Sequence, residues 1–112
     1  MKNIVYLING DNNSYKIGIT TEKRLNSRVK QLQTGSSAEL RLITTYKSEY
    51  ASLIEKTLHR ELAPNNLVGE WFELTSDQVF TFKDRCNKIE TNIKLLKDQN
   101  NDYILKLLKN RK

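Results

Sequence analysis

Two β-branched runs joined by a short turn, NIVYLIN and YKIGIT on either side of GDNNS, constrain this chain more than any other feature. Gly, Asp and Asn accept positive φ or bond their own backbone, so the link is a turn. A link this short joins antiparallel strands. Side chains alternate along a strand. Lys16 and Gly18 therefore share one face of the second strand, and Tyr15, Ile17 and Ile19 share the other. Tyr6 stands on the first strand between Val5 and Leu7. The hairpin thus carries an amine, an aromatic hydroxyl and a mid-strand glycine.

Beyond Thr20 the chain alternates helical and extended patterns. From Glu22 to Gln33, Leu25, Val29 and Leu32 fall at i, i+4 and i+7, one face of a helix that Gly35 can end. ELRLITTY sets Leu40, Leu42 and Thr44 against Arg41, Ile43 and Thr45, a third strand with one wetter face. SEYASLIEKTLHREL brings Ile54, Leu58 and Leu62 onto one helix face, and Pro64 with the loop NNLVG stops it. EWFEL is a short aromatic extended segment. These elements predict an α+β domain over residues 1–75, with a three-stranded antiparallel sheet flanked by helices.

After Leu74 the pattern changes. TSDQ offers an N-cap at Thr75 with Gln78 three residues on. Val79, Phe82, Cys86, Ile89, Ile93 and Leu96 then recur in steps of three and four, and the register continues to Asn100, Tyr103 and Leu107. No Gly or Pro interrupts residues 76–112, so this part reads as one long basic helical tail. A coiled-coil seam that makes a homodimer is one reading. An amphipathic helix packed on its own domain, broken near DQNND, is the other.

The formal net charge is +6. Residues 1–75 hold ten Lys/Arg against eight Asp/Glu, and residues 76–112 hold nine against five. A basic excess suits a polyanion, most simply DNA, although many small basic proteins bind none. No apolar run approaches the ~20 residues of a membrane span, and MKNIVYLING has no small-residue cleavage site. Cys86 is the single cysteine, which excludes an internal disulfide and a Cys-cluster metal site and suits the cytoplasm.

The polar residues with a candidate role are Tyr6, Lys16, Arg28, Glu55, His59 and Glu70. Glu55 and His59 lie at i, i+4 and project from one side of their helix. A carboxylate can hold a hard divalent cation. An arginine can offset charge on a phosphorus centre, and a tyrosine or lysine can take a proton from water. Each also has an ordinary role: Tyr6 as a half-buried strand aromatic, Lys16 and Arg28 as solvated charges, Glu55–His59 as a surface pair.

The ordered motifs resemble the GIY-YIG nuclease superfamily, specifically its small phage and bacterial branch. IVYLI sits where that family has GIY, and YKIGIT where it has YIG. RVKQLQTGSSAELRLI resembles its first helix and third strand, ASLIEKTLHREL its glutamate-bearing helix, and GEWFEL closes the unit. The resemblance covers about residues 3–75. It implies a metal-dependent endonuclease acting on DNA phosphodiester bonds with Mg²⁺ or Mn²⁺. Tyr6 would be the GIY tyrosine and candidate base, and Gly18 the YIG glycine. Arg28 would face the scissile phosphate, with Arg24 as second candidate. Glu55 would be the metal ligand and His59 a supporting residue. Arg24 and Lys30 would contact nucleic acid. Lys16 stands where the family has a tyrosine, so the motif reads KIG. Asn65, Asn66 and Glu70 are neighbours of the closing motif that match no family position firmly. The rival expectation is a nucleic-acid-binding or adaptor module that keeps the fold without turnover.

Overall fold

The opening hairpin forms around a tight turn. β1 (Asn3–Asn9) pairs antiparallel with β2 (Ser14–Thr21), with Tyr6 opposite Gly18 and Ile8 opposite Lys16. Asn12 takes φ 51° in the connecting loop, and the Asn9 side-chain amide donates to the Asn12 and Ser14 carbonyls. The computed structural model describes residues 3–98 and Lys109. After the hairpin come α1 (Leu25–Thr34), β3 (Arg41–Ser48), α2 (Ala51–Glu61), a 3-10 turn (Ala63–Asn65), β4 (Asn66–Val68), β5 (Trp71–Glu73), α3 (Ser76–Phe80) and α4 (Phe82–Asp98).

The sheet has five strands in the order β3-β1-β2-β5-β4, all neighbours antiparallel. This corrects the expected three-stranded sheet. The chain after Pro64 is not simply a loop. Asn66–Val68 and Trp71–Glu73 form a small hairpin that docks on β2 through Ser14, Tyr15 and Lys16. Phe72, 1% exposed, anchors that hairpin in the main core. Trp71 packs on the opposite face, so close to Gly10 that a Cβ there would sit 2.9 Å from Cζ3 of the indole.

The two faces of the sheet are covered differently. Val5, Leu7 and Ile17 point to the face where Ile54, Leu58 and Leu62 of the α2 region and Phe82, Cys86, Ile89 and Ile93 of α4 are buried. Tyr6, Ile8 and Leu40 form a smaller cluster on the other face, beneath Leu25, Val29 and Leu32 of α1. The core therefore runs on past residue 75 into α4. The inner face of α4 is the described stretch of the heptad pattern, so from Phe82 to Ile93 the seam packs on its own domain. Asn100, Tyr103 and Leu107 lie outside the described residues.

The tail helix is also not continuous. Thr75 caps α3 with the expected reciprocal pair: its hydroxyl accepts from the Gln78 N–H, and the Gln78 side chain accepts from the Thr75 N–H. The helix then breaks at Thr81, whose hydroxyl donates to the Asp77 carbonyl, a contact that bends helices. The break leaves Phe80 88% exposed and turns Phe82 inward. Glu90 ties α4 to β3, accepting from the hydroxyls of Ser48 and Tyr46. Among the described residues, no helix is long and apolar enough to cross a membrane.

Candidate active site

The site is built where the sheet stops being paired. β5 covers β2 only as far as Lys16, and the Ile17 N–H reaches past it to the Glu70 carbonyl. From Gly18 onward this side of β2 has no strand partner among the described residues. Side chains from both faces of the sheet meet at that open edge.

From the larger-core face, α2 brings Glu55 and His59 on adjacent turns, held down by buried Ile54 and Leu58. His59 Nε2 lies 2.9 Å from the Ile17 carbonyl oxygen. A carbonyl only accepts, so Nε2 carries the proton and Nδ1 is left with the lone pair in neutral imidazole. The ring also packs against Phe72 with centroids 5.0 Å apart. From the sheet end, the β4–β5 turn brings Glu70. Its connection is two residues long, Gly69 at φ 55° and then Glu70, the arrangement of a type II′ hairpin. Asn66 fixes the turn by donating to the Gly69 and Trp71 carbonyls. One ligand atom each from Glu55, His59 and Glu70 lies within 4.8 Å of the others.

From the α1 face comes Lys16. Its side chain is 11% exposed, its ammonium is 3.0 Å from Glu70 Oε1, and it lies 5.8 Å from the centroid of the Trp71 ring. Burial pushes the Glu55 carboxyl above its ordinary value of 4.5. His59 pulls it down, Glu70 pushes it up, and Lys16 pulls it down again, so these four groups share one field. Next along β2, Gly18 meets Tyr6. A Cβ at Gly18 would lie 2.5 Å from the Tyr6 hydroxyl oxygen, so only glycine lets the ring cross the strand there. Tyr6 itself is 1% exposed.

Beyond Gly18 the edge of β2 opens into a groove of about 490 Å³. It is lined by Ile19, Thr20 and Thr21 of β2, by Asn3, and by Arg24, Ser27, Arg28 and Gln31 at the start of α1. Ile19 is two residues from Ile17, so the groove begins about 7 Å along the strand from the carbonyl that holds His59. The groove and the cluster share no residue: Arg24 and Arg28 line the groove and do not pair with the carboxylates. Lys30 is exposed and does not line the groove.

The donor set fits a divalent cation. Two carboxylates and one imidazole nitrogen are hard-to-intermediate ligands, too few in sulfur and nitrogen for structural zinc. Glu70 is the member to which sequence motifs assigned no role, because only the docking of the β4–β5 hairpin brings it to Glu55. Cys86 takes no part: burial pushes its thiol to about 12.

An α+β domain with a carboxylate–imidazole cluster on an open sheet edge, next to an arginine-lined groove, is the class that fold and site define. The family model of the T5orf172 domain matches residues 3–87, and the chain belongs to that family. The matched region passes through α3 and ends within α4. No curated protein and no solved structure matches the chain.

Proposed function

We propose that this domain is a metal-dependent endonuclease that hydrolyses DNA phosphodiester bonds with a GIY-YIG-type site. One observation carries the reading. Along the unpaired half of β2, a Glu55–His59–Glu70 cluster is followed directly by a groove with two arginines, with Tyr6 on Gly18 between them. Metal ligands and phosphate-binding cations in immediate succession suit a substrate whose reacting atom is a phosphorus.

In this reading Arg28, with Arg24, holds the phosphate backbone in the groove and offsets charge that builds in the transition state. Glu55 is the principal ligand for Mg²⁺ or Mn²⁺, with His59 beside it. When bound, the ion supplies positive charge to a non-bridging phosphate oxygen. Tyr6 and Lys16 would orient a water toward the phosphorus. As its oxygen bonds there and the P–O ester bond breaks, the water's proton would pass to solvent and the Lys16 ammonium would protonate the leaving oxygen. One such site cuts one strand. The net charge of +6 favours approach to the polyanion.

A second reading is a DNA-binding module without turnover. The Lys16–Glu70 ion pair favours it, because it engages both the amine and a carboxylate. A cleavage assay separates the two. Supercoiled plasmid is incubated with Mg²⁺ or Mn²⁺ and the wild type, Glu55→Ala or Arg28→Ala. The nuclease reading expects nicking by the wild type that falls at least a hundredfold in both variants. Plasmid retardation with equal, background-level nicking in all three would establish the binding module instead.

A further inference from the structure

The turn itself does not need the Glu70 side chain, whose one polar contact among the described residues is the ion pair with Lys16. The Glu70 carbonyl closes the ladder to Ile17, Gly69 supplies the positive φ of the turn, and Asn66 holds the turn from the other side. The carboxylate is free to turn toward Lys16 and toward Glu55. Lys16 is equally unusual. It is 8% exposed in the middle of a strand, where an ammonium is costly without a counter-charge. Glu70 at 3.0 Å supplies that charge.

The charges do not balance. Glu55 and Glu70 together carry two negative charges when ionised, Lys16 carries one positive charge, and His59 is neutral when Nδ1 is free. With both carboxylates ionised the cluster keeps a net negative charge, and the His59 ring beside it is held by the Ile17 carbonyl. A ring nitrogen oriented by a carbonyl on its other nitrogen is how metal-bound histidines are held.

We propose that Glu70 is the third protein ligand of a divalent transition-metal site with Glu55 and His59, and that Lys16 competes with the metal for it. The inference rests on the metal-site part of the proposed function and extends it. When the metal binds, Glu70 leaves the ammonium. Lys16 is then free at the open edge of β2, where a substrate phosphate would replace the lost counter-charge. The imidazole makes Mn²⁺ a better occupant than Mg²⁺, which prefers oxygen ligands and retained waters. Lys16 thus becomes a cation that the metal releases.

The test is Mn²⁺ binding by the full chain without DNA, read as the loss of the free-ion electron paramagnetic resonance signal. It compares wild type, Lys16→Met, Glu70→Gln and the double variant. Methionine keeps an apolar stem against Trp71, and Glu70 lies on an exposed turn, so both variants should fold; unfolding curves verify it. We expect Mn²⁺ to bind the wild type at least tenfold more tightly than Mg²⁺ displaces it. Lys16→Met should tighten Mn²⁺ about tenfold, Glu70→Gln should weaken it about tenfold or more, and the Lys16→Met gain should vanish in the double variant. Equal affinity of Glu70→Gln and wild type would overturn Glu70 as a ligand. A Lys16→Met gain that survives in the Glu70→Gln background would overturn competition through that carboxylate. The expected binding pattern together with an uncut plasmid would retire the nuclease reading alone. No Mn²⁺ binding by either wild type or Lys16→Met would overturn both.

Discussion

The two faces of the sheet are built to different standards. The face under α2 and α4 buries a continuous core from Val5 to Ile93, in which Ile17, Ile54, Leu58 and Cys86 are fully enclosed. The face under α1 buries Tyr6, Ile8 and Leu40, and α1 itself has no fully buried residue. α1 carries Arg24 and Arg28 on the groove, whereas α2 is pinned down and carries Glu55 and His59. The contrast teaches a division of labour. In the proposed nuclease, the carboxylates that would hold a small ion sit on the more deeply packed side. The arginines that would follow a bulky polyanion sit on the less buried one.

Truncation tests this contrast most strongly. Phe82→Ala removes a fully buried ring at the α4 end of the larger core and should cost about 3–5 kcal/mol in urea unfolding. Val29→Ala, on the half-buried face of α1, should cost about 1 kcal/mol or less. Comparable losses would erase the distinction between the faces. Gly18→Ala comes next. Its Cβ must displace the Tyr6 ring, and overpacking of this kind costs about 1–3 kcal/mol. In the proposed nuclease it should also abolish cleavage, while Tyr6→Phe should leave stability nearly unchanged.

Smaller pH effects sharpen the same comparison. Burial raises the Glu90 carboxyl, but hydrogen bonds from Ser48, Tyr46 and Lys94 outweigh it and leave it below its ordinary 4.5. The stability this provides is present above 4.5 and lost as pH falls through the lowered value. Glu55 is raised, so the opposite sign holds. Its protonated form favours the fold below 4.5, and that advantage is lost as pH rises through the raised value. Glu90→Gln should therefore lower the melting temperature near neutrality and flatten its fall in acid. Glu55→Gln should raise the metal-free melting temperature near neutrality slightly. A melting temperature lowered by Glu55→Gln would mean the carboxylate stabilises the fold it is thought to strain.

Much of the frame was legible in the sequence because it rests on local rules. The period of two in NIVYLIN and YKIGIT and the helical spacing of Ile54, Leu58 and Leu62 needed no tertiary information. The departures are places where tertiary or side-chain contacts override pattern. α1 starts at Leu25 rather than Glu22, since the Thr21 hydroxyl and carbonyl both accept from the Arg24 N–H and hold a turn there. β4 is three residues long and carries no alternation to read. Leu42 and Ile43 are both exposed on β3, because that strand lies at the edge of the sheet and its ladder shifts register opposite Leu7 and Ile8. In the site, Glu55 with His59 was legible as an i, i+4 pair, and Arg28, with Arg24 as second candidate, as the arginine of the resemblance. Glu70 stood out only as a polar neighbour of the closing motif, since its approach to Glu55 depends on the β4–β5 hairpin docking on β2.

The central claim is that the Glu55 cluster does phosphodiester chemistry. Its most direct test is Mn²⁺-dependent nicking of supercoiled plasmid under single-turnover conditions, with wild type and Glu55→Gln compared at pH 7 alongside their melting curves. The account predicts that Glu55→Gln is at least as stable as wild type without metal and nicks at least a hundredfold more slowly. Wild-type nicking retained by a folded Glu55→Gln protein would contradict it.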